Sequence, residues 1–127
     1  LRQVDGGLGY VEAAFVKTPL QAAALTNASG KTVKPTTESE QEALASIDLG
    51  ADLIGGNPNP KAGYPIVTFS WILLYKTGNG SRHDTIDKVF GYTLSDAAQA
   101  MAGDLGFISL PAPVLEKGRA ALATVKP

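Results

Sequence analysis

Residues 63–76 constrain this chain more than any other stretch. They read Gly-Tyr-Pro-Ile-Val-Thr-Phe-Ser-Trp-Ile-Leu-Leu-Tyr-Lys. From Ile66 to Tyr75 the run is almost unbroken apolar, rich in β-branched and aromatic side chains. Lys76-Thr77-Gly78-Asn79-Gly80 closes it with turn residues. A run this short between turn signals reads as a strand buried on both faces, as in the middle of an α/β sheet. Pro65 stands at its entrance, where a missing N–H does least harm to a ladder. A helix that crosses a bilayer needs about 20 apolar residues, so this stretch is expected to be core.

The rest of the chain is expected to lay helix and loop over this strand and one earlier one. Asp5-Gly6-Gly7 is a turn signal, and Leu8-Gly9-Tyr10-Val11 a short strand that Glu12–Val16 continues or ends in a helical turn. Gly6 and Gly9 suit a bend or a close backbone approach. Ala22–Leu25 reads as a helical turn or a surface segment, Asn27–Gly30 as a reverse turn, and Lys31–Val33 as a short extended piece. Thr37, with Glu40 three residues on, fits a capping box for a helix over about 38–48 that Gly50 stops. Ala43, Leu44 and Ile47 form its apolar face. Residues 50–63 are a long Gly- and Pro-punctuated loop, with Leu53-Ile54 expected to pin its middle to the core. Loops of this length in compact domains are often functional.

Beyond the central strand, Ile86, Val89 and Phe90 are spaced for one face of a helix over 84–93. Ser95 is placed to cap a second helix whose apolar positions are Ala97, Ala98, Met101 and Leu105. Gly106–Leu110 is a short extended segment. Pro111 suits a first helical position, and a last helix runs over 112–124 with Val114, Leu115, Ala121, Leu122 and Val125 inward. The order strand, helix, strand, helix, helix, helix is α/β, with too few strands for a complete sheet. Leu1–Asp5 resembles the end of a helix and carries no signal-peptide pattern, so the chain reads as a piece of a longer protein.

Composition narrows the chemistry. The chain has 127 residues, 44% hydrophobic and 18% charged, which suits one globular domain with a real core and is too apolar for disorder. A net charge of −1 and a pI near 5.7 give no electrostatic footprint for nucleic acid or an anionic membrane surface. There is no cysteine, which excludes disulfides, thiol catalysis and cysteine-ligated metal, and a single histidine argues against a zinc site.

Few residues suggest a site. Ser81, His83 and Asp84 are adjacent in sequence, whereas the members of a catalytic triad converge from separate elements. Gly78-Asn79-Gly80-Ser81 follows a strand and precedes a helix, so it reads either as a solvated connection or, with Arg82, as an anion-binding nest over residues 78–85. It lacks the Gly-Lys-Ser/Thr of a phosphate-binding P-loop. Asp5, Glu12, Asp48, Asp52, Asp84, Asp87, Asp96, Asp104 and Glu116 are scattered, without a spacing for paired acid–base work. Tyr10, Phe69, Trp71 and Tyr75 line a pocket or simply pack. No enzyme, cofactor or metal site emerges. Two bottom-up readings stay open, an α/β domain with an anion or nucleotide site at 78–85 and an interaction module built on the 50–63 loop.

Four stretches together look familiar. Gly6-Gly7-Leu8-Gly9-Tyr10-Val11-Glu12, Ala24–Thr36 (Ala-Leu-Thr-Asn-Ala-Ser-Gly-Lys-Thr-Val-Lys-Pro-Thr), Tyr64-Pro65-Ile66 through Trp71–Lys76, and Asp104-Leu105-Gly106-Phe107-Ile108-Ser109-Leu110-Pro111 resemble, in order, segments of the phosphate-binding proteins that feed phosphate ABC transporters. The resemblance implies part of a type II periplasmic-binding-protein fold, with mixed sheet strands flanked by helices and incomplete as given. Residues 1–127 would form the C-terminal third, with 1–16 an inter-lobe or sheet strand and 64–127 completing one lobe. It implies inorganic phosphate as ligand and ABC permease subunits and the missing N-terminal part of the same protein as partners. It also implies a periplasmic or extracytoplasmic location, with or without a membrane anchor. The family's phosphate-contacting motifs lie upstream of the matched part, so the ligand-binding residues stay unknown and neither Ser81 nor Arg82 is carried into them.

Overall fold

A computed structural model of the chain describes residues 5–56 and 59–127. The reading of Leu1–Val4 as the end of a helix, and the Asn57-Pro58 part of the long loop, lie outside the described residues. What is described is a small mixed helix/strand domain. A two-stranded antiparallel hairpin, β1 (Leu25–Thr26) and β2 (Thr32–Val33), precedes helices α1 (Thr37–Ala45), α2 (His83–Thr93), α3 (Asp96–Ala100) and α4 (Ala112–Leu122). Short 3-10 turns cover Ala13–Phe15, Gly80–Arg82 and Gly103–Leu105. No helix among the described residues is long and apolar enough to cross a membrane.

The hairpin pairs Leu25 with Val33 and Thr26 with Thr32; of the two readings for 22–25, helical turn or surface segment, Ala22–Ala24 are exposed and non-helical, and Leu25 opens β1. Its turn is built by Asn27, a buried residue whose Oδ1 accepts from the Ser29 hydroxyl at 2.7 Å, the Ser29 amide at 3.1 Å and the Lys31 amide at 3.2 Å. The competition of an Asn side chain for local amides favours a turn over a helix here. The Asn27 Nδ2 then donates to the Gly63 carbonyl at 3.2 Å, and the Ala28 amide donates to the Pro60 carbonyl. The hairpin is thereby stitched to the end of the long loop.

Helix α1 begins one residue earlier than expected, at Thr37. Thr36 is the N-cap, its hydroxyl accepting from the Ser39 amide at 3.3 Å while Ser39 Oγ accepts from the Thr36 amide at 3.0 Å. Ser39 Oγ also donates to the Lys34 carbonyl at 2.7 Å, which fixes the entering chain. Glu40 is therefore not the return arm of the box; its side chain turns inward and is buried. The helix stops at Ala45, ahead of the expected 48, because the Ser46 hydroxyl donates back to the Ala43 carbonyl at 2.7 Å. Ile47 and Leu49 then dip into the core, and Gly50 closes a turn by donating to the Ile54 carbonyl.

The core gathers Leu44, Ile47, Leu49 and Phe69, with Val67, Ile108, Leu110 and Val114 packed against them. Helices α2 and α4 take the expected positions within two residues, and α2 packs on α3 and α4. Ser95 caps α3 by accepting from the Ala98 amide. Pro111 is the N-cap of α4 and not its first helical residue, and Pro113 occupies the tolerant first turn. Leu115 and Val125 are buried as expected, whereas Met101 and Leu105 are exposed.

The central stretch departs most from its reading. Residues 65–69 alternate as a strand should, with Pro65, Val67 and Phe69 inward and Ile66 and Thr68 outward. Beyond Ser70 the burial ends, and Ile72, Leu73 and Tyr75 are 59%, 92% and 81% exposed. No backbone–backbone hydrogen bond among the described residues involves 65–75, so the stretch belongs to no sheet there. Leu8–Val11 behaves alike, unpaired and with Leu8 and Tyr10 almost wholly exposed. A strand is completed by neighbours, and the described residues supply none to either stretch.

Candidate functional site

The loop at 78–85, the sequence's nearest approach to an anion nest, is a clamp on the C-terminal residues. Gly78 has φ +82, and its amide donates to the Pro127 carbonyl at 3.0 Å. Asn79 is buried, and its Nδ2 bridges the Tyr75 carbonyl at 2.9 Å and the Lys126 carbonyl at 2.7 Å. The Lys126 amide returns a bond to the Lys76 carbonyl at 2.8 Å. The Arg82 amide is engaged with Asn79 and that of His83 with Gly80. His83 Nε2 lies 3.1 Å from the Val125 carbonyl, and its Nδ1 is 3.7 Å from Asp84. Ser81 and Arg82 are exposed. Of the loop's amides, those of Gly78, Arg82 and His83 are thus turned to protein carbonyls.

Two of the scattered carboxylates meet at one arginine. Arg119 on α4 reaches Asp96 at 2.7 Å and Glu116 at 2.9 Å, while its Nε donates to the Leu94 carbonyl at 2.9 Å. The hydrogen bond to Asp96 is the main reason the guanidinium pKa is raised, with Glu116 adding to it. This group ties the start of α3 to α4. Asp52 accepts from the Ile54 amide inside its own turn. Glu12 is exposed at the foot of the Ala13–Phe15 turn. No group of three metal-ligating side chains forms among the described residues.

Glu40 is the acid that sequence reasoning missed. It is 9% exposed, and none of the ion pairs among the described residues includes it. Burial pushes its carboxyl above the ordinary value of 4.5. Tyr64 is raised as well, by burial first and by the charge of Glu40 second, and its hydroxyl donates to the Ala23 carbonyl at 3.2 Å. The helical pattern could have flagged Glu40, since it lies three and four residues before Ala43 and Leu44 on the inward side of α1.

Of the four aromatic residues, Phe69 and Trp71 meet edge to face at 6.2 Å, and Tyr10 and Tyr75 stand in solvent. Phe69 and Trp71 line a shallow depression of about 240 Å³ with Ile47, Gly55, Val67 and Thr68. A second, of about 270 Å³, lies between the end of α1 and the start of α4, and its lysine, Lys117, already donates to the Leu49 carbonyl at 2.9 Å. The 50–63 loop is held by Pro60, by Gly63 and by the Trp71 indole donating to the Leu53 carbonyl at 2.8 Å. Ile54, expected to pin it, is 67% exposed.

No family model matches. A protein of Xylella fastidiosa named phosphate-binding protein PstS is 30% identical over 118 residues, covering 87% of this chain and 32% of that protein. A protein of the same name from Methanocaldococcus jannaschii is 26% identical over 141 residues, covering 94% of this chain and 35% of its own length. The chain is similar to phosphate-binding proteins. It spans about a third of the length of the curated relatives it matches. The likeness is distant, and it is to proteins named for binding and not for catalysis.

Proposed function

We propose that this chain is the C-terminal third of an extracytoplasmic phosphate-binding protein that delivers inorganic phosphate to the permease subunits of an ABC importer. The observation that carries the reading is the match to a phosphate-binding protein over 87% of this chain. In this reading the fold is part of a type II periplasmic-binding-protein architecture. Residues 1–16 then form an inter-lobe or sheet strand, and 64–127 complete one lobe.

The phosphate contacts are assigned to the rest of the polypeptide. A dehydrated oxyanion needs several charge-assisted hydrogen bonds from amides, hydroxyls and a guanidinium at once. In the 78–83 loop the amides of Gly78, Arg82 and His83 and the Asn79 side chain already hold protein carbonyls. Arg119 is held by two carboxylates. These engagements favour the importer reading over a stand-alone anion site at 78–85.

Calorimetric titration with inorganic phosphate tests this. The full-length polypeptide is expected to bind and the 127-residue chain alone to give no heat of binding. Tight binding by the chain alone would place the site within it, and no binding by the full-length protein would refute the function.

A further inference from the structure

We propose that Asn79 is a deamidation site gated by the C-terminal residues, and that its conversion to aspartate or isoaspartate releases those residues for good. The proposal is independent of the phosphate-binding reading above.

The sequence supplies a reactive pair. Of the four asparagines, Asn79 alone precedes glycine; Asn27 precedes Ala28, and Asn57 and Asn59 precede prolines, which have no N–H to give up. An asparagine deamidates when the backbone nitrogen of the next residue loses its proton to solvent base and attacks the side-chain carbonyl carbon. The N–Cγ bond forms, the Cγ–Nδ2 bond breaks, and ammonia leaves with a proton from water. Water then opens the five-membered imide at either carbonyl, giving aspartate or isoaspartate. Only water is consumed, and nothing is oxidised or reduced. Glycine favours the step because no Cβ shields its nitrogen or restricts its backbone. Gly80 is exposed at φ +52, and the space where its Cβ would stand is open.

The structure holds this pair away from reaction. Ring closure needs the Asn79 side chain to swing onto the Gly80 nitrogen and ammonia to depart. Asn79 is 6% exposed, and its Nδ2 donates to the Tyr75 carbonyl at 2.9 Å and the Lys126 carbonyl at 2.7 Å. Its own carbonyl accepts from the Arg82 amide at 3.0 Å, which fixes the Asn79–Gly80 peptide at the head of the 3-10 turn. The gate is the C-terminal segment. It is held by the Gly78 amide on the Pro127 carbonyl, by the Lys126 amide on the Lys76 carbonyl, and by His83 Nε2 at 3.1 Å from the Val125 carbonyl. Each opening of this segment frees the side chain to react. Conversion is then one-way. A carboxylate has no proton to donate, so it repels the two carbonyl oxygens that the amide held. Isoaspartate also lengthens the backbone where the turn begins. Asn79 thereby marks chains whose C-terminal docking has failed.

Peptide mapping by mass spectrometry, after incubation at mildly alkaline pH, tests this. Lys126→Pro removes the amide that the Lys76 carbonyl holds, and His83→Ala removes the contact to Val125; neither removes a carbonyl that Asn79 holds. Each variant is expected to deamidate at Asn79 about fivefold faster than the parent, as the loss of one hydrogen bond implies, with its helices retained in circular dichroism. Low urea, short of the unfolding transition, needs no variant. There the Asn79 rate and the exchange rate of the Lys126 amide are expected to rise together. An Asn79 rate that rises only with global unfolding overturns the gate, and an unfolded chain that keeps Asn79 intact overturns the site. Asn79→Asp is expected to speed exchange of the Lys126 amide about tenfold, and unchanged protection there would show that conversion does not release the C-terminal residues.

Discussion

Replacing Asn27 by Ala is expected to cost more stability than any other single polar truncation in the hairpin. The side chain makes four hydrogen bonds, three to Oδ1 from Ser29 and Lys31 and one from Nδ2 to the Gly63 carbonyl. A neutral hydrogen bond contributes about 1 kcal/mol net, and a buried group left without a partner costs about 1–3 kcal/mol. Gly63 is buried, so its carbonyl falls under the larger figure. Ser29 and Lys31 are exposed, so water replaces most of what their amides lose. The sum is about 2–4 kcal/mol, a large part of the roughly 5–15 kcal/mol that holds a domain together. Urea unfolding followed by circular dichroism reads it as a midpoint lowered by about 1–2 M. Ser29→Ala, which removes only the 2.7 Å hydroxyl bond, serves as the control and is expected to cost about 1 kcal/mol or less. An Asn27→Ala midpoint equal to that of Ser29→Ala would show that the bond to Gly63 does not tie the hairpin to the loop.

Three further outcomes follow from the structure. Because the folded-state pKa of Glu40 lies above its ordinary 4.5, its stabilising contribution is complete below that pH and is lost as pH rises through the raised value. Glu40→Gln should therefore melt higher than the parent at neutral pH and converge with it in acid, and an advantage that grows in acid would contradict the assignment. Gly63 sits at φ +72 with the Ser39 carbonyl and Ala43 against its open face, so Gly63→Ala should destabilise by about 2 kcal/mol or more in urea titrations. The Ser81→Ala, Arg82→Ala double variant of the full-length protein should bind phosphate as the parent does in calorimetry, and loss of binding would revive a site at 78–85.

Local features were legible in the sequence where short-range chemistry decides them. The Ser95 cap, the inward Leu115 and Val125, and the spans of α2 and α4 depend on neighbours a few residues away. The α1 cap shows the limit, because only Thr37 with Glu40 fits the sequence motif, yet the box forms between Thr36 and Ser39 while Glu40 turns inward, a tertiary event. The apolar run at 66–75 reads as a buried strand, but pairing is non-local: no strand forms there among the described residues, and the expected inward alternation is met only over 65–69. The candidate site misled for the same reason. Gly78-Asn79-Gly80 has the local form of an anion nest, and only the arrival of Val125–Pro127 turns it into a clasp. Asn27 and Asn79 read as ordinary turn residues because nothing adjacent to them announces that their amides will be buried.

That clasp makes the helical half of the chain sensitive to a nick far away in sequence. Asn79 and Lys126 are 47 residues apart, yet each keeps the other's polar group out of want. Carboxypeptidase digestion that removed Lys126 and Pro127 would leave the Asn79 amide with the Tyr75 carbonyl alone, free the Gly78 amide and loosen the loop that launches α2. Ragged C-terminal ends in a preparation would then show up as heterogeneous melting, before any change in the hairpin.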